Sequence, residues 1–240
     1  MCTVSFLPAG GAGADFIFTS NRDETPTRPA RLPNWQVDAG SRWFGPSDPQ
    51  SGGSWFGTDG AQWALCILNG AFVKHQHLPP YSRSRGRLIP DFLELGGLTA
   101  FLNTYKFGGM EPFTFLVVNY GANTNELCEL RWDGNELHRR ERDANKPHLW
   151  SSATLYTHEQ AAVKKQWFDA WLVAQAGSFS QEAIFRFHQQ AGVGDPSLDL
   201  VMDRGIVRTT SISSLAKQNN TLQLRYLEID SPQQHAYSLF

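Results

Sequence analysis

The chain has 240 residues, 41% of them hydrophobic and 18% charged, with a formal net charge of -2. That size admits one large domain or two small ones, and the apolar share supplies a substantial core. The near-neutral charge offers no basic surface for nucleic acid or an anionic membrane, and the densest basic cluster, Arg83, Arg85 and Arg87, reads as a solvated helix start.

No apolar run approaches the ~20 residues of a membrane helix. The opening segment Met1-Cys2-Thr3-Val4 lacks a leader pattern, so a cytoplasmic protein without integral membrane association is expected. Cys2, Cys66 and Cys128 form no C-x-x-C pair and read as reduced thiols. The eight Trp and sixteen Phe line either a thick core or an apolar ligand pocket, with core as the default.

Taken in order, residues 2–7 and 15–20 alternate as two strands around a glycine-rich loop. If Leu7 pairs with Asp15, Cys2 falls opposite Ser20, and Asn21-Arg22-Asp23-Glu24 begins where the second strand ends. Residues 25–53, with five prolines from Pro26 to Pro49, read as a long ordered surface loop; Trp35, Trp43 and Phe44 argue against a free linker. A hairpin of 54–58 and 61–68 follows around Asp59-Gly60, the type I′ dipeptide. Helices are expected over 82–95 and 98–105, a strand over 113–119, and a hairpin of 126–132 and 136–140. Helices over 157–176 and 181–190 come next, the first opened by a Thr157/Gln160 capping box. Strands at 206–213, 221–229 and 236–240 close the chain. This order predicts a single α+β domain over 1–240, a helix–sheet–sheet–helix sandwich of largely antiparallel strands.

Chemistry concentrates at the N-terminus. Removal of Met1 would leave Cys2 with a free α-amine of pKa about 7.7–8.0, a base for the thiol of the same residue. The plain alternative is a small buried hydrophobe. Neighbouring strands lie roughly 4.8 Å apart, which puts Asn21 or Asp23 within reach of that amine. An Arg22 side chain there favours thiolate or binds a substrate carboxylate, and it points away from Asn21 and Asp23 if the strand continues. Asn69 is either an oxyanion donor or the first half of an Asn-Gly turn. Trp55, between Gly53 and Gly57, is a pocket wall or core packing. Arg208 faces outward or is buried opposite an acid, and its functional reading is a substrate carboxylate or phosphate. His75 and His77 lack ligands at metal spacing, and Gly10-Gly11-Ala12-Gly13 lacks the ending of a phosphate loop. No metal or cofactor is expected.

Met1-Cys2-Thr3-Val4, Asn21-Arg22-Asp23-Glu24 and Arg28-Pro29 together resemble the NRDE family, related to transport and Golgi organisation protein 2. Further matches run in order: Pro46 with Asp48, Gly52-Gly53-Ser54-Trp55-Phe56-Gly57, Leu68-Asn69, Ser84-Arg85-Gly86, Ser151-Ser152 and Arg208-Thr209-Thr210-Ser211. That family in turn resembles cysteine N-terminal-nucleophile hydrolases such as penicillin V acylases and bile salt hydrolases. They begin Met-Cys and carry an Arg-Asn-x-Asp-like motif; Asn21 and Asp23 match it, while Ser20 stands at its arginine and Arg22 at its variable position.

The resemblance implies an N-terminal-nucleophile-hydrolase-like fold and two readings of function. One is an amidohydrolase on a non-peptide amide or acyl bond, with Cys2 as nucleophile, its amine as base, Asp23 orienting the amine and Asn69 holding the oxyanion. The other is a non-catalytic carrier using the same pocket for an acyl chain, lipid or haem, in line with the lipid and haem handling of eukaryotic members.

Overall fold

The computed structural model describes residues 3–9, 15–38, 40–121, 125–231 and 233–240. The strands are, in order, β1 (Thr3–Pro8), β2 (Phe16–Glu24), β3 (Arg31–Asp38), β4 (Ser41–Ser47), β5 (Phe56–Thr58), β6 (Trp63–Asn69), β7 (Phe113–Asn119), β8 (Glu126–Trp132), β9 (Leu137–Arg142), β10 (His148–Ser151), β11 (Arg208–Gln218), β12 (Thr221–Glu228) and β13 (Gln234–Ser238). The helices are α1 (Leu88–Glu94), α2 (Leu98–Thr104), α3 (His158–Ala174) and α4 (Gln181–Gln190). Among the described residues no helix is long and apolar enough to cross a membrane.

Two compact units share the chain. The first takes residues up to Arg28 and those from Ala144 onward; the second is the continuous stretch Pro29–Asp143. In the first, six antiparallel strands run in the order β10-β1-β2-β11-β12-β13. Side chains alternate across a strand, and on β2 this sorts Ile17, Thr19, Asn21 and Asp23 from Phe16, Phe18, Ser20 and Arg22. Ile17 joins Leu7 in a core with Phe168 of α3 and Ile184 and Phe187 of α4. The odd-numbered β2 residues therefore face the helices. On the other face Phe6 stacks on Phe16, ring centroids 5.9 Å apart.

Both helices of this unit start as their sequences dictate. The Thr157 hydroxyl accepts from the Gln160 amide at 3.2 Å and the Gln160 side chain accepts from the Thr157 amide at 3.1 Å, the expected capping box. Ser180 Oγ accepts from the Ala183 amide at 3.1 Å to open α4.

The second unit is a seven-stranded antiparallel meander, β3 to β9 in sequence order. Its α1 packs on β4 and β6, and Phe92 of α1 meets Phe101 of α2 and Phe115 of β7 at 5.3 and 5.6 Å between ring centroids.

Several expectations need correction. Residues 25–53 are not a loop, since β3 and β4 form a hairpin there. Pro33 is tolerated because β3 is an edge strand whose register shifts between Arg31 and Asn34. Asp59-Gly60 is not a type I′ turn, which needs positive φ at both residues. Gly60 alone has it, at 75°, and Asp59 Oδ1 instead accepts from the amides of Ala61, Gln62 and Trp63. The helix expected from residue 82 begins at Leu88, after a 3-10 turn at Arg85–Arg87. Pro90 has no N–H to bond the carbonyl of Gly86, and that oxygen accepts instead from the Ser54 amide at 3.0 Å.

The first hairpin is also shifted. Leu7 pairs with Ile17 rather than Asp15, so Val4 is opposite Ser20, and β2 runs on through the whole Asn21–Glu24 motif. β10 was not anticipated; it is a four-residue edge strand paired to β1.

Candidate functional site

The polar end of β2 organises the first unit. Asn21 is fully buried and its Nδ2 donates to the carbonyls of Leu200 at 2.7 Å and His188 at 3.2 Å. Its Oδ1 accepts from His188 Nδ1, and an oxygen there requires the proton on Nδ1. His188 Nε2 then accepts from Ser5 Oγ at 2.8 Å. Burial pushes the imidazole pKa down to about 3, with Lys164 adding to the effect, so the ring is neutral. Hydroxyl, imidazole and amide follow one another as in a nucleophile–base–orienter series. All three residues have no exposed surface, and the series ties β1, β2 and α4 together.

Asp23 lies on the same face, 3% exposed. Its carboxylate accepts from Thr209 Oγ1 at 2.6 Å and Tyr156 Oη at 3.2 Å. Arg22 takes the opposite face, as alternation requires, and is buried. Its Nη1 donates to the Arg28 carbonyl at 3.0 Å and to Thr210 Oγ1 at 3.2 Å. On that second face Arg22 is paired with Ser211, Ser20 with Ser213, and Ser213 with Tyr226. All five are buried.

The structure thus gathers Asn21, Arg22, Asp23 and Arg208 on β2 and β11. Arg208 opposes Glu24, is about one-third exposed, and forms an ion pair with Asp230. Cys2 lies outside the described residues.

Asn69 and Trp55 belong to the second unit. Asn69 ends β6, half-buried. The following Gly70 has φ 80° and its amide donates to the Pro112 carbonyl at 2.9 Å, the turn that the Asn-Gly pair foreshadows. Trp55 is buried and its carbonyl accepts from the Ile67 amide at 2.9 Å. The glycine before it is required by backbone: a Cβ on Gly53 would sit 2.1 Å from the Gly86 oxygen. Pro46 is drawn in as well, its carbonyl accepting from Ser54 Oγ at 2.6 Å.

His75 and His77 do have an acidic partner, which their spacing did not reveal. Glu111 accepts from them at 2.9 and 3.4 Å and from Arg85 at 2.9 Å. Among the described residues no cluster of three His, Cys, Asp or Glu is arranged to hold a metal. A cavity of about 290 Å³ in this unit is lined by Trp63, Leu98, Val117, Cys128, Arg139 and Glu141. Burial pushes the Cys128 thiol up to about 12, Glu141 adding to it.

Sequence reasoning missed His188 and Tyr156, and picked out Thr209 only within a family motif, not as the partner of Asp23. Their separations in the chain carry no local pattern: the β2–β11 pairing brings in Thr209, the seating of α4 brings in His188, and the segment between β10 and α3 brings in Tyr156.

Solved structures share this architecture. The C2A mutant of conjugated bile acid hydrolase from Clostridium perfringens matches with TM-score 0.60 at 10% identity, covering 99% of this chain and 92% of that one. A Caenorhabditis elegans ortholog of N-acylethanolamine-hydrolyzing acid amidase matches with TM-score 0.59 at 10% identity, covering 90% and 92%. At such identity the likeness is one of fold: the chain has the α+β, antiparallel fold of N-terminal-nucleophile hydrolases. No curated protein matches it in sequence. The family model described as Transport and Golgi organisation 2 matches residues 1–224, and the chain belongs to that family.

Proposed function

We propose that this protein is an N-terminal-nucleophile hydrolase of a small-molecule amide or related acyl bond, with Cys2 as the nucleophile. The observation that carries the reading is a cysteine in second position on a chain with this fold. The bile acid hydrolase compared above is itself a variant whose second-position cysteine was replaced. The register adds support: Val4 opposite Ser20 directs the N-terminal end of β1 toward the stretch of β2 that holds Arg22 and Asp23.

In the proposed reaction the Cys2 sulfur bonds to the substrate carbonyl carbon and its proton passes to the α-amine freed by loss of Met1. Asn69 serves as donor to the oxyanion. The C–N bond then breaks, the leaving amine takes the proton from the α-ammonium, and a thioester remains. Water attacks the thioester, releasing the acid and restoring the thiol. Asp23 orients the amine, and Asn21 acts as a positioning residue by holding β2 to α4. Arg22, Arg208 and Trp55 are the proposed substrate contacts.

Intact mass and thiol labelling test this together. Mass should show Met1 removed; a retained Met1 overturns the mechanism, because the base would sit on the wrong residue. Iodoacetamide near pH 7 should modify Cys2 alone, since Cys66 and Cys128 are buried. Slow, unselective labelling counts against an activated thiol. Cys2→Ala should abolish turnover of a fluorogenic acyl amide. An unaffected rate would remove Cys2 from the mechanism and favour the carrier.

A further inference from the structure

The cavity of the second unit has its floor on one face of the neighbouring strands β7, β8 and β9. Val117 of β7 pairs with Cys128 of β8, and Cys128 with Glu141 of β9, so their side chains stand in one row. Asn119 and Glu126 form the next row, and Arg139 shares the face of Glu141, two positions along β9. Trp63 of β6 and Leu98 of α2 complete the lining among the described residues. That wall is held in place from behind. Gly97, at φ 114°, lets the backbone before α2 press on the indole, where a Cβ would sit 2.7 Å from a Trp63 ring carbon. The indole also meets the Phe92 ring edge-on, at 5.1 Å between centroids.

At about 290 Å³ the space is far larger than the ~10–15 Å³ that admits one water, and close to the lower bound of roughly 300 Å³ for small-molecule pockets. Its polarity runs in one direction. Val117 and Cys128 at the bottom are buried, and burial keeps the thiol protonated. Trp63 and Leu98 are half-buried, while Glu126, Arg139 and Glu141 are exposed at the opening. The charges there do not cancel. Arg139 is committed to Glu141, its Nε donating to Oε1 at 2.7 Å and its Nη2 lying 2.6 Å from the same oxygen. The partner of Glu126 is neutral: Asn119 Nδ2 donates to its Oε2 at 2.9 Å. One negative charge is left over at the mouth of a largely apolar recess.

We infer that this cavity is a ligand site for a small amphiphile with an aliphatic body and a cationic amine head. The body enters between Trp63, Leu98 and Val117, where removal of apolar surface from water holds it. The ammonium sits at the rim against Glu126; it has donors and no acceptor, and a carboxylate has only acceptors. A carboxylate head would instead meet Glu126 and Glu141, two like charges. Because the rim is exposed, an ion pair there adds little: the body sets the affinity and the head sets the preference. The site shares no residue with the proposed hydrolytic machinery and stands or falls apart from it.

The test titrates the full chain calorimetrically with n-hexylamine, 1-hexanol and hexanoate near pH 7 at low ionic strength. Hexylamine should bind about threefold more tightly than hexanol, and hexanoate more weakly than either. From methylamine to hexylamine the affinity should climb by about tenfold or more as the body lengthens. Glu126→Gln, an exposed change at the start of β8, should bring hexylamine down to the affinity of hexanol and leave hexanol unaltered. Leu98→Trp, which fills the recess, should weaken both by about tenfold or more; if that variant does not fold, the gain from methylamine to hexylamine decides the same point. No binding, equal affinities of amine and alcohol, or no gain with chain length overturns the site. So does a preference that survives Glu126→Gln, or undiminished binding to a folded Leu98→Trp.

Discussion

Asn21 and His188 show what the motif on β2 does besides any chemistry. An imidazole with no exposed surface, neutral because burial drops its pKa from 6.5 to about 3, binds a proton in the unfolded chain at a pH where the folded chain does not. Stability from this residue is complete above about pH 6.5 and is lost as pH falls toward 3, with a slope on the order of 1 kcal/mol per pH unit. Urea midpoints measured across that window should fall in wild type and fall less in His188→Gln. Equal slopes would mean that other groups dominate the acid limb. Asn21→Ala strands His188 Nδ1–H and two carbonyls, so a loss of roughly 3 kcal/mol or more is expected from the typical cost of buried unpaired groups. That arginine and asparagine occupy opposite faces of β2 was legible from alternation alone. The closure of Asn21 on His188 was not, since those residues lie 167 positions apart.

At the level of elements, three stretches that the family resemblance picks out form one knot in the second unit. Gly53 lies against Gly86, Ser54 bonds back to Pro46, and Asp48 bridges to Gly53. The two glycines are not equivalent. A Cβ at Gly53 meets backbone 2.1 Å away, whereas one at Gly86 meets the Ser51 hydroxyl at 3.1 Å, a side chain that can turn aside. Gly53→Ala should therefore cost at least about 2–3 kcal/mol, in the range of overpacking strain, and Gly86→Ala clearly less; thermal unfolding of both would show it, and matched losses would contradict the packing argument. Thr157→Ala should cost about 1 kcal/mol through loss of the α3 cap. Elements carrying such local chemistry were readable: the bounds of β7, β8 and α4 agree with the sequence pattern residue for residue. The β3–β4 hairpin was hidden because proline density signals a loop, and an edge position is what lets a strand carry Pro33. β10 is too short for alternation to show.

Across the molecule, chain order divides the two units more sharply than composition does. The second is continuous, and each strand of its sheet pairs with its neighbours in sequence. The first is closed by β2 against β11, where bonded partners such as Thr19 and Ser214 are 195 residues apart. The antiparallel α+β class was visible from the hairpins, but no local signal announces a pairing of that span. Loop closure must be met before such contacts return any energy, so topology orders the events of folding. In refolding from urea, pulsed hydrogen exchange read by mass spectrometry should show β6, β7 and β8 protected before β2 and β11. Cys66 and Cys128, on β6 and β8, should lose reactivity to thiol reagents in the same early phase, because both are buried within the meander. Protection of β2 and β11 first, or of both units in a single step, would show that the long-range closure nucleates the fold and that the continuous unit does not form ahead of it.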